Sequence, residues 1–140
     1  TTWAVLRGGP ACLSGLNGVY FCPTRTDVLD FSRSRGGPLL ADNPALSRMM
    51  TDTDTAGLKR IGEAHLYFRG MKSTVGMKSV PADMVVFDEL DEATPEARAT
   101  AMERVAHSAY KRTIELSNPS LPGYGIDVST SGCVVHKRTT

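Results

Sequence analysis

Short apolar runs separated by polar turns set the rhythm of the chain. Val19-Tyr20-Phe21-Cys22 lies between Gly18 and Pro23, Ala64-His65-Leu66-Tyr67-Phe68 runs to Gly70, and Met84-Val85-Val86-Phe87 is continuously apolar. Arg112-Thr113-Ile114-Glu115-Leu116 runs into Ser117-Asn118-Pro119. Each is the length of a strand, and the unbroken apolar character of the third predicts a strand covered on both faces of a parallel sheet. Helical signals fall between them. Asp27 to Phe31 opens a short helix that Gly36-Gly37-Pro38 interrupts, and Pro44 to Met50 supplies another. Thr94 offers a capping hydroxyl, Pro95 suits the first helical position and Glu96 suits the positive end of the dipole. Met102, Val105, Ala106 and Ala109 follow at helical spacing, so an amphipathic helix is predicted from Pro95 to Lys111. Thr51-Asp52-Thr53-Asp54-Thr55 reads as a loop, and Ser129 to Thr140 as a flexible tail. Strand, helix and strand over residues 83–117 form a crossover, which makes the fold class α/β.

With 140 residues, 41% hydrophobic and 22% charged, the chain is a single folded domain with a packed core. A formal charge of +1 excludes a domain that holds nucleic acid by net charge alone, so any DNA contact is local. Cys12, Cys22 and Cys133 are widely spaced and fit neither a disulfide framework nor a zinc site, reading as buried or incidental thiols. His65, His107 and His136 are scattered, His65 having the apolar flanks of a core histidine, and Tyr20, Tyr67 and Phe68 read as core. No apolar stretch reaches a membrane span and no signal peptide opens the chain, which points to the cytoplasm. The chain starts at Thr1 rather than Met, as expected of a fragment or a processed product.

Six of the 15 acidic residues, Asp83, Asp88, Glu89, Asp91, Glu92 and Glu96, fall together before any Lys or Arg appears at Arg98. Asp88 and Glu89 directly follow the apolar run, at the carboxyl end of a buried strand, where open α/β sheets bind ligands. Such carboxylates suit nucleotide hydrolysis: Asp88 for a magnesium ion and Glu89 for the attacking water. Adjacent side chains on a strand point to opposite faces, so the following turn must re-aim one of them. The plainer alternative is a solvated acidic turn before a helix.

Four segments in order carry a family resemblance. "VYFCPTRTDVLDF", "SRSRGGPLLADNPAL", "AHLYFRGMKSTVGMKSVPADMVVFDELDEA" and "TIELSNPSLPGYGID" resemble the ATPase domain of tailed-phage large terminase subunits of the gpA-like group. The resemblance implies a P-loop NTPase fold with a parallel sheet flanked by helices, incomplete at its N-terminus. It makes Asp88 the Walker B magnesium ligand, Glu89 the catalytic glutamate, and Ser117 and Asn118 the coupling-motif residues that sense the γ-phosphate. Asp91 matches a further acidic position without an assigned role. Arg69 and Lys72 are candidates for phosphate or DNA contact, set against a plain reading as exposed basic side chains.

The same resemblance implies ATP and Mg²⁺ as cofactors, and double-stranded DNA, a small terminase subunit and a portal as partners. It also implies homo-oligomers of the complete protein in the cytoplasm of a bacterial host. No G-x-x-x-x-G-K-[ST] occurs in the sequence. Residues 1–128 therefore read as a partial ATPase domain whose phosphate-binding loop lies upstream of Thr1, inactive by itself. The alternatives are another P-loop ATPase acting on nucleic acid, such as a helicase, and a non-catalytic binding module.

Overall fold

The computed structural model describes residues 11–12, 14–72 and 80–129. The segment Thr1 to Leu6, Cys133, His136 and the tail beyond Ser129 lie outside them. The elements run β1 (Gly18–Cys22), α1 (Arg25–Phe31), a single π turn (Ser32–Gly36), α2 (Gly37–Ala41), α3 (Pro44–Ser47), β2 (Met50–Thr55), β3 (Leu58–Ile61) and β4 (Ala64–Gly70). There follow β5 (Met84–Asp88), a 3-10 turn (Leu90–Glu92), α4 (Pro95–Glu103), β6 (Arg112–Leu116) and α5 (Ile126–Ser129). All four strands expected from the apolar runs are present.

The six strands form one sheet in the order β2-β3-β4-β1-β5-β6. β4, β1, β5 and β6 are parallel, while β2 and β3 extend the sheet as an antiparallel hairpin. Alternation along the central strands sorts the core into two layers. Tyr20, Cys22, Leu66, Phe68, Met84 and Val86 pack with Val28 and Phe31 of α1, Leu40 of α2 and Leu46 of α3. Val19, Phe21, Val85 and Phe87 pack on the other face with Leu90, Ala97, Ala101 and Val105. The chain is thus an α/β layer structure with helices on both faces of the sheet.

Four local expectations are corrected. Residues 51–55 are not a loop but belong to β2, the edge strand of the sheet, and the Thr-Asp alternation of the sequence has the period of a strand. Gly36-Gly37-Pro38 does not break the helical run. The Gly37 amide bonds to the Ser32 carbonyl across the π turn, and a Cβ on Gly37 would lie 2.8 Å from that oxygen, so glycine permits the wide turn. Pro38 then falls in the first turn of α2, directly after the π turn.

The helix expected to reach Lys111 stops at Glu103. Ser108 Oγ donates to Asp83 Oδ1 at 2.6 Å and the Arg112 amide donates to Asp83 O at 3.1 Å, which pulls the chain down to the start of β6. The stripe of α4 that meets the sheet is Ala97 and Ala101, with Val105 just beyond its end, whereas Met102 is exposed. His65 is half-buried rather than core, its ring stacked on Tyr67 with centroids 5.8 Å apart. Tyr20 and Phe68 are core, and Tyr67 packs partly buried against it.

Candidate functional site

β1 pairs with β4 on one side and β5 on the other, and the chain crosses from β4 over β1 to reach β5. The direction of winding therefore reverses at the β1/β5 pair. Open α/β sheets bind ligands outside the carboxyl ends of the strands at such a reversal. A cleft of ≈ 430 Å³ opens there. Cys22, Pro23 and Thr24 form its wall at the end of β1, and Asp88 and Glu89 at the end of β5.

Each wall is locally determined. Thr24 caps α1 in a reciprocal box: its Oγ1 accepts the Asp27 amide at 3.2 Å, and Asp27 Oδ2 accepts the Thr24 amide at 2.8 Å. Asp88 ends β5, and its Oδ2 accepts the hydroxyl of buried Tyr20 at 2.8 Å. Tyr20 is in turn stacked on Phe31 with centroids 4.7 Å apart. Glu89 leaves the strand in the left-handed region, φ 57° and ψ 58°. This reversal re-aims one of two adjacent carboxylates, so both Asp88 and Glu89 line the same cleft. A non-glycine residue in that conformation is strained by about 1–3 kcal/mol, a pattern concentrated at functional sites.

The cleft is acidic: among the described residues its walls carry Asp27, Asp88, Glu89 and Glu92 against the cation Lys72. Partial withdrawal from water pushes the Glu89 pKa up, and the carboxylates of Asp88, Glu92 and Asp91 push it in the same direction. Cys22 is an inert neighbour: burial, reinforced by Asp88 and Asp27, raises its thiol to about 12. Cys12 is likewise buried and raised to about 12, so neither is a thiolate nucleophile.

The remaining acidic residues have separate tasks. Asp83, at the opposite end of β5, accepts the Asn17 amide at 2.8 Å as well as Ser108. Asp91 accepts the Ser120 amide at 2.7 Å, the Ser120 hydroxyl at 2.6 Å and the Ile126 amide at 2.9 Å. These bonds, with the Ser120 hydroxyl foremost, hold the Asp91 pKa down to about 2 against the opposing effect of desolvation.

Asp88, Glu89 and Lys72 are thus brought together. Ser117 and Asn118 are at the end of β6, next to β5 but outside the cleft lining; Ser117 Oγ accepts the Asp91 amide at 3.2 Å. Arg69 lines a neighbouring cavity with Lys72. Sequence reasoning missed Tyr20, Thr24, Asp27 and Glu92 as parts of the site. The Thr24–Asp27 box was readable as a Thr-x-x-Asp spacing, but the Tyr20–Asp88 contact spans 68 positions and needs the fold.

Among the described residues no group of three or more His, Cys, Asp or Glu could hold a metal ion. The carboxylates of Asp88 and Glu89 on one cleft are the hard oxygen donors that suit magnesium, which keeps several waters and binds through one or two carboxylates together with substrate phosphates. No helix among the described residues is long and apolar enough to cross a membrane.

The architecture and cleft define an α/β protein with an acidic cleft at the switch point of its sheet. Residues 16–134 match the family model of the phage terminase large subunit gpA, ATPase domain, and the chain belongs to that family. The fold is similar to that of the large terminase from a thermophilic bacteriophage, with TM-score 0.59 and 17% identity. That similarity covers 81% of this chain and 29% of the other, so the chain spans under a third of that relative's length. No curated protein matches the sequence.

Proposed function

We propose that the chain is part of the ATPase of a viral DNA-packaging motor, in which ATP hydrolysis moves double-stranded DNA into a capsid. The observation that carries this reading is the pair at the end of β5. The left-handed turn at Glu89 puts two carboxylates with different surroundings on one cleft, Asp88 bonded to Tyr20 and Glu89 raised in pKa. Asp88 would hold Mg²⁺, which when bound to nucleotide neutralises charge on the β- and γ-phosphates. Glu89 accepts the proton of the attacking water, and its raised pKa strengthens it as a base. Ser117 and Asn118, one strand away, sense the γ-phosphate, and the Asp91 amide ties the Ser117 hydroxyl to the turn after Glu89.

The walls of the cleft repel a bare triphosphate, which makes binding depend on the metal. No Walker A pattern occurs in the 140 residues, so this reading requires the phosphate cradle to come from outside them. The family suggests a small subunit, a portal and a homo-oligomeric motor as partners, in the cytoplasm of the host. Calorimetry of Mg²⁺–ATP binding to the chain joined to the coding sequence upstream of Thr1 tests the site. Binding that needs magnesium and disappears in Asp88→Ala is expected; binding indifferent to that substitution overturns the assignment and favours a non-catalytic module.

A further inference from the structure

A second cavity of ≈ 630 Å³ adjoins the acidic cleft, between the end of β4, the first turn of α1 and the β2–β3 turn. Its charge is opposite. Among the described residues, Arg25, Arg69 and Lys72 line it and no Asp or Glu does. Nor is any of these three cations ion-paired with a carboxylate of the described residues.

Arg69 is held in place. Its Nη1 donates to the carbonyls of Gly57 at 2.6 Å and Phe68 at 2.9 Å, and its guanidinium carbon lies 5.3 Å from the centre of the Tyr67 ring. Partial withdrawal from water lowers its pKa; Tyr67 opposes this and Arg25 adds to it. Cations kept near one another repel, and Arg25 acts on Arg69 in that sense. A bound anion would offset that repulsion.

The chemistry of the walls narrows the ligand. Phe68 is 1% exposed and Tyr67 carries Arg69 over its face, so neither ring is offered to a base. Arg25 and Lys72 are exposed, as suits a charged polymer crossing the surface. Cations without a base-stacking platform or base-reading geometry recognise phosphates irrespective of sequence.

We propose that this cavity binds the phosphodiester backbone of DNA without regard to sequence. The inference rests on the reading of the chain as part of a DNA-packaging motor and gives that motor a place to grip. Thr24 and Lys72 line both cavities. DNA held at Arg69 is therefore separated from the nucleotide cleft only by the cap of α1 and one lysine.

The test is fluorescence polarisation of a labelled duplex titrated with the whole chain over a range of NaCl concentrations. Three neutralised phosphates give a slope of log K against log[salt] of about −2.7. Arg25→Ala and Lys72→Ala each make the slope shallower by about 0.9, equally on unrelated sequences, while Arg25→Lys restores it. Melting curves establish that the variants fold. A slope near zero, or one that neither substitution changes, overturns the proposal. So does binding of inorganic tripolyphosphate that depends on Arg25 and Lys72 when duplex binding does not, because the cavity then serves free phosphates. Mg²⁺–ATP binding in Asp88→Ala reads the neighbouring cleft separately, so failure there is distinguishable from failure here.

Discussion

Replacing Asp91 by alanine removes the side chain that ties the 3-10 turn after Glu89 to the segment beyond β6 through three hydrogen bonds. Its carboxylate accepts from the Ser120 amide, the Ser120 hydroxyl and the Ile126 amide at 2.7, 2.6 and 2.9 Å. Bonds to a charged acceptor contribute about 1.5–3 kcal/mol in sheltered positions, but Ser120 is exposed and solvent competes, so about 0.5 kcal/mol each is appropriate. The expected loss is about 1.5 kcal/mol on urea denaturation, with faster hydrogen exchange at Ser120 and Ile126.

The pH dependence has a definite sign. A carboxylate lowered from 3.8 to about 2 stabilises the fold fully above its unfolded value and loses that contribution as pH falls from 3.8 through about 2. Asp91→Ala lacks this acid step. Gly125, with φ +54°, packs so closely on Asp91 that a Cβ would collide with its carboxylate, so Gly125→Ala disturbs the same junction from the other side. A stability within about 0.3 kcal/mol of the parent protein, or unaltered exchange at Ile126, would refute the reasoning.

Two further substitutions probe the packing and the cleft. Ala101→Leu forces a larger side chain between α4 and the sheet at a fully buried position, and thermal unfolding should show a loss of about 1–3 kcal/mol; no loss would mean that this face is loosely packed. Tyr20→Phe removes the hydroxyl bonded to Asp88 while keeping the stacked ring, so calorimetry on the chain joined to its upstream sequence should show Mg²⁺–ATP affinity falling about tenfold with the melting temperature little changed, and equal loss of both would mean a structural role only.

The central strands were legible because burial on both faces writes an apolar run into the sequence. β2 and β3 were not, since Met-Thr-Asp-Thr-Asp-Thr and Leu-Lys-Arg-Ile carry no such run and are strands because the sheet offers them an edge. The end of α4 is hidden for a related reason: Ala106 and Ala109 continue the helical spacing, but Ser108 is claimed by Asp83, which is 25 positions away. At the site, Asp88 and Glu89 were visible from local context. Their relation to Tyr20 and Lys72, and the division of the acidic cluster into cleft, latch and sheet-end roles, come from strands that meet only in the folded chain.

The most direct measurement joins this chain to the coding sequence upstream of Thr1 and compares ATP turnover with and without Glu89→Gln. If Glu89 is the base, turnover rises with pH through a pKa lifted above the ordinary 4.5, and Glu89→Gln abolishes turnover while Mg²⁺–ATP still binds. Hydrolysis that proceeds equally well in Glu89→Gln would contradict the account.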